Sequence, residues 1–93
     1  MELKDTVDEM LSPDYKERFK AEYKQLRLRY EKLNKFLNTC TWEIQAGREE
    51  PKHDCPLWLL ELQLEAMKQY LRILEIRSCF EHVDVVEEMN GKV

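Results

Sequence analysis

Tyr15, Phe19, Tyr23 and Tyr30 recur at intervals of four or seven residues, with Lys16, Lys20, Arg27, Arg29 and Lys32 among them. Nucleotides are held by these two kinds of group: flat apolar rings that stack on a base, and cations that meet a phosphate. If the segment is helical, the free N–H groups of residues 14 to 16 and the positive end of the helix dipole add a further attraction for an anion. The pattern has a plainer reading as well. Aromatic residues at helical spacing build a core, and the lysines and arginines beside them form its solvated face. Pattern alone leaves both readings open.

Catalytic patterns are absent. The chain contains no GxSxG, HExxH, GxxxxGK[ST] or GxGxxG and no aspartate-rich calcium loop. The two histidines, His53 and His82, have no nucleophile placed beside them and read as exposed or capping residues, so no enzymatic activity is expected. Cys40, Cys55 and Cys79 are an odd number without repeated spacing, which speaks for reduced thiols rather than a disulfide framework. Cys40, His53 and Cys55 are of zinc-binding types, but no CxxC or HxxxH spacing completes a ligand set. Neither a metal nor a cofactor is expected.

Charge is distributed unevenly. The net charge of −4 hides a segment, residues 13–38, with eight Lys/Arg against four acids, while the remainder carries seven bases and fifteen acids. Duplex nucleic acid requires broad phosphate neutralisation, so an acidic chain with one basic segment is not expected to bind it. A small anion needs only a few placed cations. No stretch approaches the roughly 18 apolar residues of a membrane span, and Met-Glu-Leu-Lys-Asp lacks the basic-then-apolar order of a secretory leader. A cytoplasmic location without membrane contact is the expectation.

The elements that must position these groups are helices. Residues 1–93 are one small domain at most. Residues 1–11 form a short amphipathic lead with Leu3, Val7, Met10 and Leu11 at near-helical spacing. Ser12-Pro13 marks a helix start, serine as cap and proline in the first turn. The seam Tyr15, Phe19, Tyr23, Leu26, Tyr30, Leu33, Leu37 then predicts one helix over 13–38. Residues 39–55, with Gly47 and Pro51, read as a loop that includes Trp42 and Ile44. Asp54 or Cys55 caps a second helix over 56–80, whose seam is Leu57, Leu60, Leu64, Met67, Leu71, Leu74. Beside that seam run Leu59, Leu62, Ala66, Tyr70, Ile73 and Phe80. Residues 81–93 form an acidic tail. The expected architecture is all-α, an antiparallel hairpin of two long helices with a short N-terminal helical segment. A single partner covers about 100° of a helix surface, and the second helix is apolar over far more than that. Self-association is the expected solution, particularly because so short a chain buries only about 60–65% of its unfolded surface.

Two stretches carry a family resemblance. Asp14-Tyr15-Lys16-Glu17-Arg18-Phe19-Lys20-Ala21-Glu22, followed by the KLxxFL run Lys32 to Leu37, resembles the first helix of the phage anti-CBASS cyclic-nucleotide sponges, the second anti-CBASS family. Gln63 to Arg77, with its QxxAMxxY core, resembles the second helix of that family. The resemblance covers residues 14–37 and 63–77. It implies a helical protomer assembled as a homohexamer in the host cytoplasm, binding cyclic di- or trinucleotide signals and sequestering them uncleaved. Lys32 matches the family lysine that contacts phosphate in the cyclic dinucleotide pocket, and Tyr15 matches its base-stacking aromatic. Arg77 matches the arginine of a separate cyclic trinucleotide pocket. Asn34 falls at that arginine's polar partner, where the family carries threonine. The loop 38–56, with its cysteines and Trp42, departs from the family pattern. The alternative is a small helical oligomer that binds a host protein through its acidic tail or its exposed apolar face.

Overall fold

A computed structural model describes residues 3–85, and these contain helices and no strand. A 3-10 turn, Leu3–Thr6, runs into the short helix α1, Val7–Met10. Two long helices follow, α2 at Tyr15–Gln45 and α3 at Leu57–Glu81. The long helices are antiparallel: Tyr23 on α2 meets Glu75 on α3, while Phe19, one turn earlier, meets Arg77. The expected all-α hairpin is therefore present. Its long dimension is 49 Å against 27 and 25 Å, and its radius of gyration is 15.8 Å, where a compact domain of this length has about 12 Å. An elongated hairpin has a small core and much exposed apolar surface.

The predicted seams define the inner faces. Phe19, Tyr23 and Leu37 of α2 are buried, with Leu26, Tyr30 and Leu33 partly so, and Leu71 and Leu74 of α3 pack with Phe19 and Tyr23. Leu57, Leu60, Leu64 and Met67 continue that face half-buried, whereas Leu59, Leu62, Ala66, Tyr70, Ile73 and Phe80 are all exposed. Burial is densest where the first half of α2 meets the second half of α3, around Phe19, Tyr23, Leu71 and Leu74.

Several boundaries differ from the sequence expectation, each for a local reason. α2 continues to Gln45, seven residues past the expected end at 38, so Trp42 and Ile44 belong to the helix and not to a loop. The apolar period fades after Leu37, but backbone hydrogen bonding does not require it, and nothing breaks the helix before Gly47. There the Gly47 N–H bonds the Ile44 carbonyl (3.0 Å) and the Arg48 N–H bonds the Glu43 carbonyl (2.8 Å). With Gly47 at φ +79, this is the paired closure that a left-handed residue allows. A Cβ at Gly47 would meet no atom within 4 Å, so the cost of a side chain there is purely conformational. Gly47→Ala is expected to destabilise the fold by about 1 kcal/mol, read as a lower urea midpoint at unchanged slope. An unchanged midpoint would show that the closure tolerates another backbone conformation.

At its N-terminus α2 is capped by Asp14, whose carboxylate accepts from the Lys16 N–H at 3.0 Å. Ser12 instead accepts from the Asp14 N–H at 3.1 Å, and Pro13 lies before the helix rather than in its first turn. α3 starts at Leu57 after Pro56, without a side-chain cap from Asp54 or Cys55. At the other end His82 adopts a left-handed conformation (φ 58), and the Val83 N–H returns to the Ser78 carbonyl at 2.9 Å. That reversal turns the chain back on the hairpin, so Val83 and Val85 are buried in the core. The stretch expected as an acidic tail over 81–93 thus begins with the last residue of α3 and sends Val83 and Val85 into the core; its remainder from residue 86 lies outside the described residues. The N-terminal lead is also tied down. Lys24, buried on α2, donates to both carboxylate oxygens of Glu9 at 2.9 and 3.1 Å, and Gln25 donates to the Thr6 hydroxyl at 2.8 Å.

Candidate functional site

Lys32 is exposed on α2 and lines a cleft of about 430 Å³ together with Leu3, Lys4, Leu28, Arg29 and Lys35. Four cations surround an apolar floor. Among the described residues that line the cleft, the carboxylate is Glu31, which takes a hydrogen bond from Arg27 Nε one turn back at 3.0 Å, and this offsets its charge locally. Among the described lining groups positive charge predominates, and an anion entering the cleft meets several donors at once. Lys4 could not be read from the sequence as part of this group. It arrives because the Lys24–Glu9 pair and the Gln25–Thr6 bond hold the N-terminal lead against α2.

Asn34, two residues on, belongs to a different cleft. That opening, of about 620 Å³, lies between the long helices and is lined by Arg27, Lys68 and Arg72 but equally by Glu31, Glu65 and Glu75. Its charges balance, so it offers no net attraction to a phosphate. Arg77 is elsewhere again. Its guanidinium carbon lies 4.8 Å from the ring centre of Phe19, a cation–π arrangement. Its Nε and Nη2 reach the two carboxylate oxygens of Glu81 at 2.7 and 3.2 Å. That pairing holds the Glu81 carboxyl below the usual carboxylate range.

Tyr15, 46% exposed, completes this corner. Partial burial, and then the Glu81 carboxylate at its hydroxyl, push its pKa above the ordinary phenol value. Within one chain, then, the pairs expected from the resemblance are not brought together. Tyr15 and Lys32 are seventeen residues apart on one helix, or about 25 Å. Arg77 sits at the level of Phe19, roughly 22 Å along α2 from Asn34. The structure instead joins Tyr15 with Arg77.

The other aromatic residues divide between the two readings of the stripe. Phe19 and Tyr23 are core. The Tyr23 hydroxyl donates to Glu75 Oε2 at 2.7 Å and accepts from Arg27 Nη1 at 3.0 Å. Burial first, and Glu75 second, raise its pKa. Tyr30 packs against the core and edges the Asn34 cleft. Tyr70 on α3 donates from its hydroxyl to Glu22 on α2, a second pin across the hairpin. Only Tyr15 of this stripe offers an exposed ring.

A further group forms where the 46–56 connection returns to α2. His53 packs edge-on against Phe36, with ring centres 6.0 Å apart. Its Nδ1 donates to the Cys55 carbonyl at 2.5 Å, and its Nε2 lies 2.6 Å from Glu50 Oε2. Glu50, and then the Cys55 carbonyl, raise the imidazole pKa. The thiol of Cys40, one turn beyond Phe36, is fully buried, and burial followed by the nearby Glu50 carboxylate raises its pKa. The expectation that His53 is merely exposed or capping is thus corrected: its ring is half-buried and bonded at both nitrogens. Cys55 enters this group through its carbonyl, and its side chain is exposed.

The molecule is thus a helical hairpin with a cleft lined by four cations over an apolar floor. The family model of Sequestin, the phage anti-CBASS cyclic-nucleotide sponges, matches residues 13–78, and the chain belongs to that family. The match spans all of α2 and most of α3, including every residue singled out above from Tyr15 to Arg77. No curated protein and no solved structure matches the chain. No described helix is long and apolar enough to cross a membrane.

Proposed function

We propose that this protein binds cyclic oligonucleotide immune signals in the cytoplasm of a phage-infected host and holds them uncleaved, so that they cannot reach their effector. Membership of the sponge family over residues 13–78 carries this reading. The four-cation cleft around Lys32 supports it, because a cyclic dinucleotide has two phosphodiesters and needs positive charge at both. One chain offers such a ligand cations at Lys32 and an aromatic plane about 25 Å away at Tyr15. Assembly resolves this. In the assembly proposed here Tyr15 of one chain stands beside Lys32 of another, and a two-fold axis supplies each contact twice to a ligand that is itself nearly two-fold. Kinship with the sponge family supports a homohexamer as that assembly.

Arg77 is the proposed phosphate contact for a cyclic trinucleotide. It reaches that ligand by exchanging the Glu81 carboxylate for a phosphate, both being bidentate partners for a guanidinium. Arg77→Ala is expected to abolish trinucleotide binding and to weaken dinucleotide binding far less than Lys32→Ala does, because Arg77 lies outside the Lys32 cleft and reaches the dinucleotide site only through Glu81 beside Tyr15. Equal losses for both ligands would mean one shared pocket. Asn34 is assigned to the same site through a neighbouring chain.

The test of the whole reading is calorimetric titration with a panel of cyclic di- and trinucleotides, followed by chromatography of the ligand released on denaturation. Saturable heat with intact ligand supports sequestration. Absence of heat across the panel, or a linearised product, overturns it. Phe80, 81% exposed at the end of α3, favours the other reading, an interaction protein for a host partner, and that reading takes over if the panel gives no heat.

A further inference from the structure

We propose that Cys40, Glu50 and His53 together bind one zinc-class divalent cation per chain, at the point where the 46–56 connection folds back on α2. One donor atom from each, the Cys40 sulfur, a Glu50 carboxylate oxygen and a His53 ring nitrogen, lies within 4.8 Å of the other two. In a tetrahedral zinc site with bonds of about 2.0–2.3 Å, ligand atoms stand about 3.3–3.8 Å from one another. The closest pair here, His53 Nε2 and Glu50 Oε2 at 2.6 Å, opens by roughly 1 Å and the widest closes by roughly 1 to 1.5 Å to reach that geometry. Two of the three ligands come from the connection, so side-chain rotation and a small shift of the connection suffice.

The donor set selects the metal. Thiolate with imidazole and carboxylate suits Zn²⁺ and its spectroscopic stand-in Co²⁺, whereas Mg²⁺ and Ca²⁺ take shells made of oxygen. Support around the ligands is also in place. The Cys55 carbonyl accepts from His53 Nδ1 at 2.5 Å, which turns Nε2 toward Glu50, the second partner that metal-bound histidines generally have. Phe36 stacks edge-on against the imidazole, and the Cys40 sulfur lies in the fully buried interior. Entry is through an open cleft bordered by Glu50, Lys52, His53 and Asp54. Three protein ligands leave a fourth coordination position to water. The cation would tie the connection to α2 one turn beyond Phe36.

The full chain under reducing conditions, titrated with Co²⁺ and then Zn²⁺, tests this. One cobalt per chain should bind with thiolate-to-metal charge-transfer absorption, be displaced by zinc, and raise the melting temperature. Cys40→Ala should abolish that absorption. His53→Gln lies on the connection and leaves the core residues in place; it should weaken zinc binding by about a hundredfold or more, beyond the loss from removing a mere supporting partner. A Cys55→Ser, Cys79→Ser double variant should bind as the parent does. Helix content by circular dichroism accompanies each variant, and if Cys40→Ala misfolds, His53→Gln decides. The proposal is overturned by absence of the thiolate band, by a band that follows Cys55 or Cys79 instead of Cys40, or by unchanged zinc affinity in His53→Gln.

Discussion

Lys32→Ala is expected to weaken cyclic dinucleotide binding by about ten- to a hundredfold and leave the helices intact. The side chain is exposed and lines the cationic cleft. Its removal therefore sacrifices no core contact, and the stability change should stay within about 0.5 kcal/mol. A charge-assisted hydrogen bond to phosphate contributes roughly 1.5–3 kcal/mol, and each 1.4 kcal/mol is about a tenfold change in affinity. Neighbouring Lys4, Arg29 and Lys35 preserve part of the field, which keeps the loss from being total. Where two copies of Lys32 meet one ligand, one substitution removes both contacts and the upper end of the range applies. The measurement is calorimetric titration of parent and variant at matched salt, since screening alters contacts of this kind. A folded Lys32→Ala protein with parental affinity would remove Lys32 from the site.

The second large effect concerns assembly. Ile73→Glu combined with Ile76→Glu is expected to convert an oligomer of the 11.3 kDa chain into monomers. Both isoleucines are more than half exposed on the face of α3 turned away from α2, a face that also carries Leu62 and Phe80. Burying an isoleucine in an interface contributes roughly 1.5–3 kcal/mol. A carboxylate in its place opposes burial outright, and symmetry repeats the penalty in every copy. The hairpin itself should persist, because Leu71, Leu74 and their partners on α2 are untouched. Light scattering at micromolar concentration, with parallel circular dichroism, checks both parts. If the parent protein already scatters as a monomer, self-association is wrong, and the two-copy arrangement of Lys32 and Tyr15 fails with it. If the parent is oligomeric and the variant also remains so, the interface lies on another face.

Much of this protein was legible in one dimension. The 3,4 spacing of Tyr15 to Leu37 and of Leu57 to Leu74 specified two helices and their inner faces, because helical periodicity repeats whatever the chain packs against. The parallel row from Leu59 to Phe80 announced a second apolar face, and the KLxxFL and QxxAMxxY runs pointed to the family. Gly47 also marked the true end of α2 in the sequence. The apolar period nevertheless ends earlier, at Leu37, because beyond it α2 packs on the returning connection through Cys40 and carries no continuous apolar stripe.

What the sequence alone did not contain is which distant residues meet. Lys4 joins Lys32 only because the lead is held to α2 through Lys24–Glu9 and Gln25–Thr6, contacts fifteen and nineteen residues apart. Tyr15 meets Arg77 because antiparallel packing superimposes the start of α2 on the end of α3, and the same packing separates Arg77 from Asn34. Val83 and Val85 enter the core because His82 reverses the chain, a left-handed turn that histidine adopts only when the contacts beyond it compensate. Cys40 finds Glu50 and His53, rather than Cys55, because the Gly47 turn sends the connection back along the helix it has just left. Side chains at helical spacing are placed by the backbone itself, whereas residues on separate segments are placed by the packing of those segments, and that packing is decided only when the whole chain closes on its core.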